Sequence, residues 1–290
     1  MKERIWQCGA YRLGLNEPRV MGILNVTPDS FSDGGDCFDP AVAIARGLAM
    51  IEEGADILDI GGESTRPGAT PVLPEEELRR VLPVVRGLAA RCRVPLSVDT
   101  LHPDVARAAI AAGASIVNAT GWQINVPEWT QVLVEHRVGV CIMHTPEMAR
   151  LEGFDPASET TCAGDVSICL AKALRCACEA GVNEEQCVLD PGLGFGLGFG
   201  FGKTTTQNLA ILARLELLTQ LGPVLIGASR KRFVGEICCE SEPRQRLGGS
   251  VAVAVWSALH GAAVVRVHDV KATVHAVRMV TRLRTVQATG

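Results

Sequence analysis

The sequence predicts an α/β protein, a single-domain (β/α)8 TIM barrel that occupies all 290 residues. Eight short apolar segments alternate along the chain with segments whose apolar residues recur at helical spacing. The apolar segments are continuous, as expected for parallel strands that are covered on both faces. No linker rich in proline, serine or charge interrupts the alternation, and eight strand–helix units in about 250 residues are typical of this barrel. A doubly wound open sheet is the alternative that the same alternation allows.

The predicted elements begin with a short strand and turn at residues 4–17, which precede a core of residues 18–287. Asp39 is a suitable N-cap for the first helix, because Pro40 follows it at the first helical position. The predicted strands lie at residues 20–26, 55–62, 95–100, 115–120, 138–144, a short run ending at 188–190, 223–229 and 264–269. The predicted helices lie at residues 40–50, 75–91, 103–112, 127–136, 163–180, 206–221 and 246–260, and a final helix runs to about residue 285.

Composition argues against several functional classes. With 47% hydrophobic and 21% charged residues, the chain is typical of a folded globular protein. A net charge of −4 and the lack of a long basic run argue against nucleic-acid binding. The sequence has no apolar run of about 18 residues that would predict a membrane span, and the charged start at residues 1–4 does not resemble a signal peptide. We therefore expect a cytoplasmic protein whose eleven cysteines are reduced.

Polar side chains stand at the carboxyl end of every predicted strand. In a barrel these ends meet at one rim, where active sites lie. The carboxylates of Asp99 and Asp190, with the amide of Asn118, suit the donor-rich edge of a pterin-like or purine-like ring, and Lys231 suits a carbonyl of the same ring. The whole set is Asn25, Asp59, Asp99, Asn118, His144, Asp190, Ser229, Arg230, Lys231, Arg266 and His268.

Other side chains of this set suit an anion. Arg230, Arg266 and His268 are cationic or can become so, which suits phosphate. Asn25 offers an oxygen ligand in a loop region that also contains Asp29 and Asp33, which predicts a Mg2+ site. The rim is therefore expected to hold both a heterocycle and an anion.

A glycine-rich stretch, VLDPGLGFGLGFGFGKT at residues 188–204, follows the sixth strand. It fails the P-loop pattern, because Leu197 stands where the first glycine is required before Gly202. It also fails GxGxxG, because Phe199 stands where the third glycine is required. Nucleotide binding through either motif is rejected, which leaves a flexible apolar loop or a ligand-placing loop after Asp190.

Six motifs stand in order along residues 22–270. They are GILNVTPDSFSDGG at 22–35, DIGGESTRPGA at 59–69, SVDT at 97–100, DPGLGFG at 190–196, SRKRFVG at 229–235 and RVHDV at 266–270. Together these motifs resemble those of dihydropteroate synthases. That resemblance implies a homodimeric barrel enzyme of folate biosynthesis that joins a dihydropterin-methyl diphosphate to 4-aminobenzoate with Mg2+ as cofactor.

The same resemblance implies roles for individual residues. Asp99, Asn118, Asp190 and Lys231 would hold the pterin, Asn25 would bind Mg2+, and Arg232 would lie near the aminobenzoate. The residues that would close over the site are Phe31 and Asp33 on the first loop, with Thr65, Arg66 and Pro67 on the second. The residues that would take part in catalysis are Asp33, Lys231, Arg266 and His268, the last two as ligands of the diphosphate.

The sequence departs from the family pattern at three places. Ala119 stands where an aspartate is usual, and Thr145 with Pro146 follows His144 directly. Between Asp190 and Lys203 the chain carries six additional residues, by a repeat of LGFG and an extra Phe-Gly. These changes leave open a pterin-binding paralogue without catalysis, and a methyl-tetrahydrofolate methyltransferase on the same fold is a further alternative. The six residues either form a harmless surface bulge or reduce sensitivity to sulfonamides.

Overall fold

The computed structural model describes residues 4–27, 39–63, 72–119, 127–155, 157–195 and 202–289. Eight parallel strands form one sheet whose order is β8-β7-β6-β5-β4-β3-β10-β9. They are β3 Arg19–Asn25, β4 Ile57–Gly61, β5 Leu96–Asp99, β6 Ile116–Ala119, β7 Gly139–Met143, β8 Cys187–Asp190, β9 Leu225–Ile226 and β10 Val264–Val267, after a hairpin of β1 Ile5–Cys8 and β2 Tyr11–Gly14.

The two ends of this strand order meet. Leu189 of β8 forms a parallel bridge with Val224, just before β9. The amide of Leu189 donates to the carbonyl of Pro223 over 2.9 Å. This contact closes the sheet into a barrel, which confirms the predicted fold and excludes the open doubly wound sheet.

The helices cover the outside of the barrel. Asp39 caps the first of them as predicted, since its side chain accepts from the amide of Ala41. The predicted helix at 206–221 is divided into α7 and α8, because Arg214 leaves the helical conformation with φ −121° and ψ 37°. In the described part of the chain the helices are α1 Pro40–Glu52, α2 Pro74–Ala89, α3 Pro103–Ala111, α4 Pro127–His136, α5 Pro146–Leu151, α6 Cys162–Glu179, α7 Thr205–Ala213, α8 Glu216–Thr219, α9 Arg232–Cys238, α10 Leu247–Leu259 and α11 Val270–Thr289.

The amino-terminal hairpin closes the end of the barrel at which the strands begin. Trp6 is fully buried, and its indole nitrogen donates to the carbonyl of Gln186 over 2.8 Å. A Cβ at Gly139 would lie 2.7 Å from the sulfur of Cys8, so a glycine is required there for the hairpin to pack. The described residues thus fill this end of the barrel and leave the carboxyl ends of the strands as the side for a ligand site.

Alternation along the strands produces two apolar layers and one polar layer. Residues that face the helices join the larger core, and those that face the interior near the strand starts pack against the hairpin. On four strands the interior position two residues further along is polar. The pairs are Ile57 and Asp59, Ile116 and Asn118, Val188 and Asp190, and Val264 and Arg266, while on β5 both Ser97 and Asp99 are polar.

In the described part of the chain, no helix combines the length and the apolar character that crossing a membrane requires. The ten cysteines that the structure describes are free thiols.

Candidate active site

Arg266 lies at the centre of the polar layer, between two carboxylates. Its Nε donates to Oδ2 of Asp59 over 2.5 Å, and its Nη2 donates to Oδ2 of Asp99 over 2.6 Å. Burial alone would lower the pKa of Arg266, but the two carboxylates raise it above its ordinary value. The guanidinium is therefore a fixed cation, and among the described residues its Nη1 donates no hydrogen bond.

Asp59 connects this cation to the neighbouring strand. It is fully buried, and the same Oδ2 that accepts from Arg266 also accepts from Nδ2 of Asn118 over 3.1 Å. The position of Asp59 at a strand end predicted that it lies at the rim but indicated no role for it. The signal that would have identified it is an aspartate inside a buried apolar strand, because a buried charge requires a partner.

Asp190 and Lys231 are a pair of buried titratable groups at the rim that interact electrostatically. Burial raises the pKa of Asp190, an effect that the nearby Lys231 opposes. Oδ1 of Asp190 accepts from the amide of Gly192 over 2.7 Å. Burial lowers the pKa of Lys231 to about 7, although Asp190 acts in the opposite direction. The ammonium of Lys231 contacts the carbonyl of Leu193 and lies 4.3 Å from the centroid of the Phe195 ring.

Hydrogen bonds hold the glycine-rich stretch at both of its ends. Lys203 donates from Nζ to the carbonyl of Gly192 over 2.8 Å, and its amide donates to the carbonyl of Phe195 over 3.2 Å. Asn208 of α7 accepts from the amide of Gly194 and donates to the carbonyl of Lys203. Phe195 and Lys203 are thus neighbours, although seven residues separate them in the sequence, and residues 196–201 lie outside the described part of the chain.

The carboxyl ends of β9 and β10 bring Ser229 and His268 together. Nδ1 of His268 lies 3.1 Å from Oγ of Ser229, which also accepts from the amide of His268 over 3.2 Å. Arg230, predicted to suit phosphate, instead pairs with Asp269 through Nε at 3.0 Å and Nη2 at 2.5 Å. That pairing occupies the Nε–Nη2 edge of the guanidinium, the edge through which an arginine binds an anion with two parallel hydrogen bonds.

Asn25 fits the predicted Mg2+ site. It ends β3, and a Cβ built on Gly61 would lie 3.8 Å from Oδ1 of Asn25 and 3.5 Å from Cβ of Asp99. The amide oxygen therefore lies beside the Arg266 cluster. One oxygen ligand suits Mg2+, which usually takes few protein ligands and completes its shell with phosphate oxygens and water.

A separate acidic group lies beside this rim. Glu63, Glu77 and His102 each offer one ligand atom within 4.8 Å of the others. Burial raises the pKa of Glu77 to about 8, an effect that its hydrogen bond from Thr100 opposes. Glu77 is therefore largely protonated at neutral pH, and a protonated carboxyl is a poor ligand for a metal ion.

Two departures from the family pattern have visible structural consequences. Ala119 ends β6 as a buried residue that is 1% exposed. Thr145 is the N-cap of α5 and accepts from the amide of Met148, with Pro146 at the first helical position. The unusual sequence after His144 thus begins an additional helix, which sequence analysis did not predict.

The predicted site residues fall into two groups. Seven of them lie at the rim in the described structure: Asn25, Asp99, Asn118, Asp190, Lys231, Arg266 and His268. The remaining five lie outside the described residues: Phe31, Asp33, Thr65, Arg66 and Pro67. The individual roles of all twelve stay predictions.

Comparisons with known proteins agree with this geometry. The family described as pterin binding enzyme matches residues 21–268. The dihydropteroate synthase of Escherichia coli (strain K12) is 43% identical over 269 residues, which is 92% of each chain. The chain belongs to the dihydropteroate synthase family.

Solved dihydropteroate synthases have the same fold. The Xanthomonas albilineans enzyme with 4-aminobenzoic acid is 45% identical, with a TM-score of 0.88 over 99% of each chain. The same enzyme in complex with 7,8-dihydropteroate is 42% identical, with a TM-score of 0.82 over 98% of this chain and 99% of that one. The protein is therefore a transferase of folate biosynthesis with the barrel of the dihydropteroate synthases.

Proposed function

We propose that the rim condenses (7,8-dihydropterin-6-yl)methyl diphosphate with 4-aminobenzoate, which gives 7,8-dihydropteroate and diphosphate. The observation that carries this proposal is the arrangement of Arg266, held by Asp59 and Asp99, beside the Asp190–Lys231 pair. Such a rim offers acceptors for a ring with a donor edge and a cation for a leaving anion. The Xanthomonas albilineans structures with 4-aminobenzoic acid and with 7,8-dihydropteroate support the choice of substrates.

The pterin is assigned to the side of the rim that holds Asp190 and Asn118. An ionised Asp190 accepts two parallel N–H bonds from an amino-pyrimidinone, and only one of its oxygens is used by the amide of Gly192. Lys231 lies close enough to Asp190 to influence its pKa. We therefore assign its ammonium as the donor to the ring carbonyl that lies on the same edge of the pterin as the N–H groups bound by Asp190. Burial of Asp190 strengthens these bonds, because little water competes for the carboxylate.

The diphosphate is assigned to the side that holds Arg266 and His268. No described residue accepts from Nη1 of Arg266, which can therefore bind a ligand while Asp59 and Asp99 fix the guanidinium plane. Asn25 would hold Mg2+, which when bound offsets negative charge on the diphosphate oxygens. Arg266 and His268 offset the charge that builds on the same oxygens during departure.

The reaction needs no covalent bond to the enzyme. The lone pair of the arylamine nitrogen forms the new C–N bond at the pterin methylene, and the C–O bond breaks with its electron pair leaving on diphosphate. The resulting ammonium centre then loses one proton to solvent water or to the released diphosphate. The buried thiols are unsuited to nucleophilic attack, because burial raises the pKa of Cys169 to about 11 and that of Cys187 to about 12.

An assay with each substrate omitted in turn separates this function from its alternatives. We expect the purified protein with Mg2+ to form 7,8-dihydropteroate only when both the pterin diphosphate and 4-aminobenzoate are present. A paralogue without catalysis would bind the pterin and form no product. A methyltransferase would consume methyl-tetrahydrofolate instead, and either outcome would overturn the proposal.

We further propose that the enzyme is a homodimer formed through α10 and α11. Large apolar side chains are exposed on both helices, among them Trp256 at 45%, Met279 at 62% and Leu283 at 59%. Several large apolar side chains exposed on neighbouring helices are typical of an interaction surface. Light scattering of the parent protein should give twice the chain mass. Leu283→Glu should lower the measured mass toward that of the monomer. The control variant Lys271→Glu, near the start of α11, should leave the mass unchanged. A monomeric parent protein would contradict the dimer.

A further inference from the structure

Arg230 adopts a backbone conformation that arginine disfavours. Its φ is 60°, in the left-handed region, and the amide of Lys231 donates to the carbonyl of Ala228 over 3.2 Å. Residues 228–231 therefore form a tight turn with Arg230 at its third position, where a positive φ favours glycine. An arginine at such a position is retained only when surrounding contacts hold it there.

Those contacts come from two elements that pack against the turn. The guanidinium binds both oxygens of Asp269, which lies between β10 and α11, at 3.0 and 2.5 Å. The amide of Arg230 donates to Oγ of Ser250 in α10 over 3.0 Å, and its carbonyl accepts from Nη1 of Arg246 over 2.9 Å. Backbone and side chain are thus both fixed, and the ion pair is only about a quarter exposed.

The two neighbours of Arg230 both lie at the rim. On one side, Oγ of Ser229 already accepts from the amide of His268, so the hydroxyl can donate its one proton to Nδ1 of His268. A neutral His268 then carries its proton on Nε2 and can donate from that atom. On the other side, Lys231 reaches the carbonyl of Leu193 and the ring of Phe195.

We propose that Arg230 is a positioning residue, whose ion pair with Asp269 holds the left-handed turn that directs Ser229 to His268 and Lys231 to the Asp190 side of the rim. Arg230 cannot bind the anion through its Nε–Nη2 edge, because Asp269 occupies that edge. The inference rests on the proposed function only for its kinetic readout. The arrangement itself belongs to the ligand-free protein and can be measured without substrate.

Two variants that break the same ion pair from opposite sides test this role. Arg230→Met and Asp269→Asn should each lower kcat between about tenfold and a hundredfold through misplacement of rim groups. The double variant should be no slower than the slower single variant, because both changes remove one interaction. Arg107→Met, which breaks the exposed pair with Glu135 on α4, is the matched control and should leave kcat unchanged.

A nitrogen NMR spectrum of the ligand-free protein distinguishes positioning from general stability. We expect neutral His268 to be protonated at Nε2 in the parent protein and to become a mixture of tautomers in both single variants. Arg230→Gly relieves the backbone strain and should recover part of the melting temperature that Arg230→Met loses, without recovering the tautomer. Arg230→Lys keeps the charge with one donor group and should show an intermediate mixture of His268 tautomers. It replaces Arg230→Met in this test if Arg230→Met does not fold.

An anion-binding role predicts the opposite pattern. Asp269→Asn would then release Arg230 toward the ligand, leave the His268 tautomer unchanged and tighten the binding of inorganic diphosphate with Mg2+. Arg230→Met would weaken that binding on its own. Either result overturns the positioning role. An inactive parent protein with the expected tautomer changes would instead count against the proposed function alone.

Discussion

The guanidinium of Arg266 donates to Asp59, a fully buried aspartate on the neighbouring strand, over 2.5 Å. Asp59 accepts from Asn118 with the same oxygen, so one carboxylate fixes both the cation and an amide of the rim. The positive charge assigned to the leaving diphosphate thus depends on a residue that has no direct ligand role.

Removal of Asp59 should therefore damage both stability and activity. Asp59→Ala leaves Arg266 with one carboxylate and should lower the free energy of unfolding by about 3–5 kcal/mol, the usual cost of breaking a buried ion pair. Asp59→Asn keeps the volume and should cost less, but should still lower kcat. Urea denaturation and steady-state kinetics measure both effects, with the exposed Asp104→Asn on α3 as the control. An Asp59→Ala protein as stable as the parent would show that the ion pair is not a structural requirement.

The activity should fall on the alkaline side with the deprotonation of Lys231. Since burial lowers the pKa of Lys231 to about 7, the ammonium is lost as pH rises through that value in the free enzyme. We expect kcat/KM for the pterin diphosphate to decline above pH 7, because this ratio reports groups of the free enzyme. Lys231→Arg keeps its charge and should lose that decline, whereas Lys271→Arg should keep the parent profile. If kcat/KM of Lys231→Arg declined above pH 7 as it does in the parent protein, the decline would come from the deprotonation of another group.

Stability should also depend on pH through Glu77. Its pKa is raised from 4.5 to about 8 in the folded protein, so between these values the folded state binds one more proton than the unfolded state. The free energy of unfolding should consequently decrease as pH rises from about 5 to 8. Glu77→Gln keeps an acceptor for Thr100 and cannot ionise, so its stability should fall less over this range. Equal slopes for the two proteins in denaturation at several pH values would contradict the raised pKa.

The residues that flank the six additional residues lie close together. Phe195 and Lys203 already share a hydrogen bond of 3.2 Å, and the Phe195 ring contacts Lys231 at the rim. Deletion of Leu197 through Gly202 restores the family length, and it should lower the inhibition constant of a sulfonamide while changing KM for 4-aminobenzoate less. Unchanged inhibition constants would favour the harmless surface bulge.

The barrel and most of the rim could be predicted from the sequence for a simple physical reason. Parallel strands end at one edge, so polar residues such as Asp99, Asn118 and Asp190 at those ends must converge once the fold is known. Asp59 was located but not given a role, because its partner Arg266 is 207 residues away and strand spacing does not specify ion pairs.

Two other features required tertiary contacts. The role of Arg230 depends on Asp269, 39 residues later, and on a positive φ that a sequence containing arginine does not suggest. The hairpin was predicted only as a strand and turn, because its fit depends on the space that Gly139 leaves for Cys8. Local patterns thus predicted the elements, while packing determined how charged side chains are paired.

The most direct test of the central claim compares the protein with Asp190→Asn in a single turnover with Mg2+, the pterin diphosphate and 4-aminobenzoate. For the parent protein we expect equal amounts of diphosphate and 7,8-dihydropteroate. Asp190→Asn should be slower by about a hundredfold or more, since it loses a buried charged acceptor. Product formation by Asp190→Asn at the parent rate would contradict the assignment of this rim as the site of condensation.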